Sequence, residues 1–199
     1  MKIGIDARLI DQTGVGRYIR NLYKNFLKTD KANKQYKYEL IQPKIKWHSL
    51  AEQIIFPFWL LRKKYDLVHF TYFSFPIFCP KKFIITIHDL IPWHFKTGRA
   101  SRLPFFLYQI KHFFYKLILW VGARRAAKII AVSETTKKEI INHLKIDPQK
   151  IKIIYEAVDD NKFNPAMAGQ NSKIDKYFLY VGNAYPHKNL MNLIEAFKQ

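Results

Sequence analysis

"FIITIHDLIPWHF" (residues 83–95) joins an apolar, β-branched run to a histidine, an aspartate and a proline. An uninterrupted apolar run of this kind is typical of a strand that is buried on both faces of a parallel sheet. In open parallel sheets, ligands bind beyond the carboxyl ends of the strands. His88 and Asp89 follow such an end directly, so we expect both to project into a ligand crevice.

Short β-branched runs alternate with longer helical patterns on either side of this stretch. We predict strands at residues 2–6, 38–42, 67–70, 83–88, 128–132 and 150–154. We predict helices at residues 14–28, 47–64, 101–125 and 133–144, with Pro57 as a kink or boundary and Ser133 as an N-cap. This alternation predicts an α/β fold with a parallel sheet and helices on both faces.

The pattern stops after Tyr155, where a polar stretch rich in Pro, Gly and Asn begins. Such composition is typical of a linker. We therefore predict a first domain at 1–157, a linker at 158–176 and the opening of a second domain at 177–199. That opening is expected to be a strand at 177–182, a loop and a helix, with the second domain truncated.

The chain is strongly basic, with 34 Lys and Arg against 15 Asp and Glu, a net charge of +19, and 16% aromatic residues. This balance favours a phosphate-bearing partner: a nucleic acid, an anionic membrane or a phosphorylated ligand. An AT-rich genome's preference for Lys, Ile, Asn and Phe would also explain part of it. The single cysteine, Cys79, excludes an internal disulfide framework and a Cys-rich zinc site.

Charged residues interrupt the start of the chain, so the sequence predicts no signal peptide. The most apolar later run, residues 105–121, contains Lys111, His112 and Lys116 and is too short and too charged for a spanning helix. An amphipathic helix, packed or lying on a membrane surface, fits it better.

Gly14, Val15 and Gly16 open the first predicted helix. Glycines there let backbone N–H groups approach a phosphate, and a helix N-terminus favours negative charge. The dinucleotide fingerprint would need a third glycine where Ile19 stands. The motif therefore indicates either a phosphate loop or a simple loop-to-helix turn.

His88 and Asp89 could act as acid and base, bind sugar hydroxyls, or form a turn in which Asp89 caps the next helix. His94 could join them at a metal, but no third ligand is evident, so we predict no metal site. Lys188 precedes a helix, where its charge opposes the helix dipole. A bound phosphate would explain this position, as would simple solvation of a surface lysine.

The motifs together resemble the glycosyltransferase family 4 (group 1) enzymes of GT-B fold. The resemblance covers nearly the whole chain, and the resembling segments follow one another in the same order as in the family. Its segments are "IGIDAR" (3–8), "TGVGRYIRNL" (13–22), "AEQIIFPFWLLRKKYDLVHF" (51–70), "IITIHDLIPWHF" (84–95), "AKIIAVSETTKKEI" (127–140), "KIIYEAVDDNKFNP" (152–165) and "FLYVGNAYPHKNLMNLIEAF" (178–197).

The resemblance implies two Rossmann-like domains and a retaining transfer of a hexose, such as mannose, from a nucleoside-diphosphate sugar to a lipid-linked glycan or polysaccharide. His88 and Asp89 would lie in the acceptor cleft by the reacting sugar. Gly14, Val15 and Gly16 would approach the donor. Lys188 would neutralise its diphosphate, and Asn183 replaces an arginine that many members carry at that position. No metal or other cofactor is implied.

The resemblance also implies a cytoplasmic enzyme at the inner face of the membrane. Residues 47–64 and 101–125 are the candidate contacts with anionic lipid, and the family's downstream donor pocket lies beyond residue 199. The chain alone is therefore expected to be inactive. Rival hypotheses are a basic nucleic-acid-binding protein, for which no known motif is present, a dinucleotide-dependent oxidoreductase, and an inactive fragment of a split gene.

Overall fold

The structure, a computed structural model, describes residues 1–33, 35–94, 104–157, 178–182 and 184–198. Its strands are β1 (Lys2–Asp6), β2 (Lys37–Ile41), β3 (Leu67–Phe70), β4 (Phe83–Ile87), β5 (Lys128–Ala131) and β6 (Ile151–Ile153). Its α-helices are α1 (Gly14–Asn33), α2 (Leu50–Leu61), α3 (Ile91–His94), α4 (Phe105–Arg125), α5 (Glu134–Leu144) and α6 (Leu190–Lys198).

The six strands form one parallel sheet in the order β2-β1-β3-β4-β5-β6. The chain moves outward from β1 to β2 and then returns past β1 to β3. This reversal creates a topological switch point between β1 and β3, and crevices form at such points beyond the carboxyl ends of the strands. The predicted α/β fold with a parallel sheet is confirmed.

Two separate apolar clusters show that helices cover both faces of the sheet, as predicted. One cluster packs Ile19 of α1 against Ala7 and Leu9. The other packs α2, α4 and α5 against strand residues, and it includes Phe56, Leu60, Val68, Phe70, Ile85, Ile87, Leu119, Ala123, Ile140 and Leu144. In a right-handed crossover, the direction in which the chain moves along the sheet decides which face the connecting helix covers. The β1-to-β2 connection runs in the opposite direction to the later ones, so α1 lies on the opposite face.

Helix α2 is shorter than the predicted span of 47–64. Ser49 has extended backbone angles, and its side chain accepts a hydrogen bond from the Glu52 N–H, so the helix begins after Ser49. Pro57 lies inside α2 rather than at its end. Helix α4 begins at Phe105, and residues 101–103 of its predicted span lie outside the described residues.

The link from β3 to β4 (residues 71–82) contains no helix. Its buried side chains, among them Phe73, Phe75 and Cys79, instead belong to the larger apolar cluster. Gly122 of α4 faces Phe75 so closely that a Cβ atom would overlap its ring. The missing side chain at Gly122 therefore allows α4 to pack directly on this link.

The strand predicted at 177–182 is wrong for its described part, because residues 178–182 form no strand. A strand is stable only when a neighbouring strand satisfies its backbone groups. Phe178, Leu179 and Val181 are instead exposed. The helix predicted at the end of the chain is present as α6, and the linker predicted at 158–176 lies outside the described residues.

Candidate functional site

The carboxyl ends of β1, β3 and β4 bring three chain segments together at the switch point. Thr71 follows β3, and its hydroxyl donates to the Asp6 carbonyl at the end of β1 at 2.7 Å. His88 follows β4, and its Nε2 lies 3.0 Å from the Thr71 carbonyl oxygen. The predicted position of His88 at a strand end is therefore observed, and its ring is held against the neighbouring strand.

The second ring nitrogen of His88 faces a carboxylate. His88 Nδ1 lies 2.8 Å from Glu156 Oε1, although the two residues are 68 positions apart in the sequence. Both of its partners, the Thr71 carbonyl and the Glu156 carboxylate, are hydrogen-bond acceptors. Each contact is satisfied when the facing ring nitrogen carries a proton. Glu156 therefore fixes the rotation of the ring and adds a negative charge beside it.

A buried polar chain lies beneath His88. Thr86 Oγ1 is 2.8 Å from His69 Nε2 and 3.2 Å from the Tyr18 hydroxyl. The Tyr18 ring in turn meets the His88 ring edge-on, with centroids 4.9 Å apart. Burial, together with the nearby His88, lowers the pKa of His69 to about 4. His69 is therefore neutral near pH 7 and acts as a hydrogen-bonding partner rather than as a charge.

Asp89 caps the short helix α3, because its Oδ1 accepts the Ile91 N–H at 2.9 Å. This is one of the arrangements that the sequence left open. Its charge also affects two phenols: burial and then the Asp89 carboxylate raise the pKa of Tyr72, and burial, then Tyr72 and then Asp89 raise the pKa of Tyr115. Asp89 therefore lies at the rim of the crevice, between His88 and the tyrosines.

The glycine motif forms the first turn of α1. A Cβ atom on Gly14 would meet nothing within 4 Å, whereas one on Gly16 would overlap the Ile10 carbonyl group. Gly16 is thus required for packing, and Gly14 leaves open space. Thr13, Gly14 and Val15 line a cavity of about 250 Å³. No acidic residue occupies the first turn of α1, so its positive dipole end is not neutralised from within the helix.

Tyr72 connects the glycine motif with His88. It lines the cavity beside Gly14, and its ring centroid is 6.2 Å from that of His88. The structure therefore brings the two predicted groups, the glycine motif and His88 with Asp89, to the same crevice. Lys188 lies exposed in a 3-10 turn (Pro186–Lys188), while the predicted Asn183 lies outside the described residues.

A buried ion cluster centred on Arg8 supports the crevice, and sequence reasoning missed it. Arg8 holds Asp6 through two nitrogens, with Nη2 at 2.7 Å from Oδ2, and its Nη1 lies 2.7 Å from Glu52 Oε1. Its guanidinium also lies over the Phe56 ring. One cue was available: Glu52 is the only acidic residue in the apolar helix α2.

A second, much larger cavity of about 1050 Å³ adjoins the first, and Trp47 and Tyr72 line both. Apolar and aromatic residues from α2, from the β3–β4 link and from α4 make up most of its wall. Burial, followed by Lys111 and Arg8, lowers the pKa of His48 in this wall to about 4. The cavity is thus lined largely by uncharged groups.

Two further findings concern the described part of the chain. No helix in it is both long enough and apolar enough to cross a membrane. No group of three or more His, Cys, Asp or Glu side chains in it could hold a metal ion. The nearest candidate, His94, lies 3.0 Å from Glu139 through its Nε2 atom, at the surface between α3 and α5.

The sequence profile of Glycosyltransferase Family 4 matches residues 28–162. The O-antigen chain mannosyltransferase RfbU of Salmonella typhimurium (strain LT2) is 27% identical over 111 residues, a match that covers 56% of this chain and 27% of that protein.

Among solved structures, the crystal structure of a glycosyltransferase from Rickettsia africae ESF-5 aligns with a TM-score of 0.41 and 16% identity. That alignment covers 99% of this chain and 49% of the other. The matched part thus spans half or less of both similar proteins. Because the family profile matches more than half of the chain, the chain belongs to Glycosyltransferase Family 4.

Proposed function

We propose that the whole protein transfers a hexose, with mannose the first candidate, from a nucleoside-diphosphate sugar to a lipid-linked glycan, with retention of configuration. The observation that carries this proposal is that the Tyr72 ring connects His88 with the N-terminus of α1, so that both border one crevice at the switch point of a family 4 chain. The RfbU relative, a mannosyltransferase, supports mannose as the sugar.

In the proposed reaction a hydroxyl oxygen of the acceptor forms a bond to the anomeric carbon of the donor sugar. The bond from that carbon to the phosphate oxygen breaks, and the nucleoside diphosphate leaves with the electron pair. The hydroxyl proton passes to the leaving phosphate or to solvent. Stabilising the charge on the diphosphate is the largest requirement, and Lys188 and the α1 N-terminus are the groups that we assign to it.

His88 would meet the sugar, and Asp89 would lie beside the acceptor. In this role a sugar hydroxyl near the reacting carbon would share the Nδ1–H of His88 with the Glu156 carboxylate, while Tyr18 and Thr71 hold the ring in place. Such placement can contribute a large part of a rate enhancement, because the reacting atoms are held in the required geometry.

The test is a donor screen with the full-length protein. We expect nucleoside diphosphate to be released from GDP-mannose, or from another hexose donor, only when a polyprenyl-linked glycan is present, and the product to keep the donor's anomeric configuration by NMR. Release from no donor, with the protein folded by circular dichroism, would contradict the transfer. An inverted product would contradict retention alone.

We further propose that the protein works at an anionic membrane surface on the cytoplasmic side. Ile55, Phe58 and Leu61 of α2 and Phe106 and Phe113 of α4 are exposed apolar side chains. Basic residues flank them, which is the combination that binds interfacial anionic lipid.

Vesicle sedimentation tests the membrane contact. Arg125 donates to the Ile77 and Cys79 carbonyls, so it is left unchanged. We expect the combined change Lys46, Arg62 and Lys64→Glu to release the protein from phosphatidylglycerol vesicles. The matched change Lys24, Lys28 and Lys138→Glu, with the same charge difference, should retain more binding. Equal binding by both variants would overturn the assignment of this surface.

A further inference from the structure

The cavity between α2 and α4 is larger than a sugar or a nucleotide requires. Its volume of about 1050 Å³ is at the upper end of the range of small-molecule pockets, roughly 300 to 1,000 Å³. Its wall includes Leu50 and Ile54 of α2, Phe114 and Ile118 of α4 and Phe78 of the β3–β4 link. Such a wall favours a ligand made mainly of hydrocarbon.

The apolar surface continues from this cavity onto the outside of the protein. Helix α4 carries exposed Phe106, Phe113 and Trp120, and α2 carries exposed Ile55 and Phe58. So many large exposed apolar side chains on two helices that line the same cavity indicate an interaction site. The cavity therefore opens onto a surface that itself favours an apolar environment.

The charges around the cavity indicate which kind of apolar ligand fits it best. Helix α4 contains no acidic residue, and the only acidic residue of α2, Glu52, is buried in its ion pair with Arg8. Among the described lining residues, Lys111 is the only one with a permanent charge. An occupant that combines a hydrocarbon chain with an anionic group fits this arrangement better than an uncharged one does.

The position of the cavity determines how a bound ligand would be oriented. Tyr72 and Trp47 line both this cavity and the smaller one beside Gly14, and the Tyr72 ring lies next to His88. A chain seated between α2 and α4 would therefore place its polar end toward the crevice.

We propose that the α2–α4 cavity binds the hydrocarbon chain of a phosphate-bearing lipid acceptor and presents the attached glycan to the His88 crevice. This inference rests on the proposed function, because it specifies the acceptor's lipid. The membrane contact and the cavity are separate features. The membrane contact involves side chains outside the cavity, whereas the cavity would enclose the hydrocarbon chain of a single lipid molecule.

Farnesyl phosphate binding to the full-length protein, followed by tryptophan fluorescence without any membrane, tests this inference. Two pairs of neighbouring residues provide matched variants. Ile54 lines the cavity and is 61% exposed, whereas Ile55 does not line it and is 54% exposed. Phe114 lines it and is 53% exposed, whereas Phe113 does not line it and is 63% exposed.

We expect Ile54→Glu and Phe114→Glu to raise the Kd for farnesyl phosphate about tenfold or more, because the bound hydrocarbon chain would remove water from a carboxylate on the cavity wall. Ile55→Glu and Phe113→Glu should change it by less than about twofold, since these side chains lie outside the cavity and a bound chain would not cover them. Lys111→Gln should weaken farnesyl phosphate and leave farnesol unchanged. Inorganic phosphate alone should compete poorly.

Equal effects of the paired variants, or no binding of farnesyl phosphate, would overturn the inference. Self-association that buries Phe114, seen by light scattering together with absent farnesyl phosphate binding, would assign the surface to a second copy instead. The assay needs no sugar transfer. Transfer without farnesyl phosphate binding would therefore contradict the cavity assignment alone, and binding without transfer would contradict the proposed function alone.

Discussion

At the scale of single residues, the crevice depends on contacts between positions that are far apart in the sequence. His88 could be predicted as a site residue because it ends an apolar strand. Its partner Glu156 could not, because the contact forms only when the chain beyond β6 returns to the end of β4.

Glu156 is expected to be a positioning residue for His88. Replacing it with Ala removes the acceptor at Nδ1, so the ring loses its fixed rotation. We predict that Glu156→Ala lowers kcat about tenfold, with the donor KM little changed, because only the placement of the ring is affected. Glu156→Gln should recover most of the rate, since its amide oxygen can accept the same hydrogen bond.

Steady-state kinetics on the three proteins measures this effect. If Glu156 only stabilises the fold, the two variants should have similar rates, and any loss of rate should follow the loss of unfolding free energy. Wild-type kcat in Glu156→Ala would remove the positioning role altogether.

His69 makes stability depend on pH. Its pKa is about 4 in the folded protein, below the ordinary value of about 6.5. The unfolded chain therefore binds the proton more readily. The stability that His69 contributes is complete above about pH 6.5 and is lost as the pH falls toward 4.

Urea unfolding of wild type and His69→Gln checks this expectation. Between about pH 7.5 and pH 5 we expect the unfolding free energy of the wild type to fall by about 2 kcal/mol more than that of the variant. Glutamine can keep the hydrogen bond to Thr86 but does not titrate. Parallel pH profiles for the two proteins would show that burial does not suppress protonation of His69.

At the scale of elements, local patterns predicted most strands and helices, because apolar runs and caps are encoded within a few residues. The Ser133 cap is an example: its side chain accepts the Thr136 N–H. The predicted strand at 177–182 failed in its described part because strand formation depends on a neighbour, which the local sequence does not specify. The helix-free link at 71–82 follows from its buried aromatic residues, whose packing a local pattern does not show.

The Arg8 cluster ties β1 to α2, and sequence reasoning missed it because Glu52 is distant in the chain. We predict that Arg8→Met destabilises the protein by about 3–5 kcal/mol, since two buried carboxylates would lose their counter-charge. Arg17→Met, at an exposed site on α1, should have little effect. Urea unfolding measures both.

A rescue experiment separates lost charge from lost packing at this cluster. Adding Asp6→Asn and Glu52→Gln to Arg8→Met removes the uncompensated charges and should restore a substantial part of the lost unfolding free energy. If the triple variant is no more stable than Arg8→Met alone, packing against the Phe56 ring is the main contribution of Arg8.

At the scale of the whole molecule, strand order determines where the site lies. The order β2-β1-β3-β4 places the ends of β1, β3 and β4 side by side, so Gly14, Tyr72 and His88 meet although they are far apart in sequence. The alternation of strands and helices predicted the sheet, and the family resemblance indicated Gly14 and His88 but not Tyr72. Neither could predict the large α2–α4 cavity, which depends on side-chain packing between two helices and a link.

The most direct measurement is the rate of sugar transfer by full-length His88→Ala, compared with wild type under saturating donor and lipid-linked acceptor. The account predicts a kcat at least about 100-fold lower, the scale of a lost group at the reacting centre, with an unchanged circular dichroism spectrum and urea midpoint. A wild-type rate in folded His88→Ala would contradict the account, since the crevice at the end of β4 would then not be where the chemistry occurs.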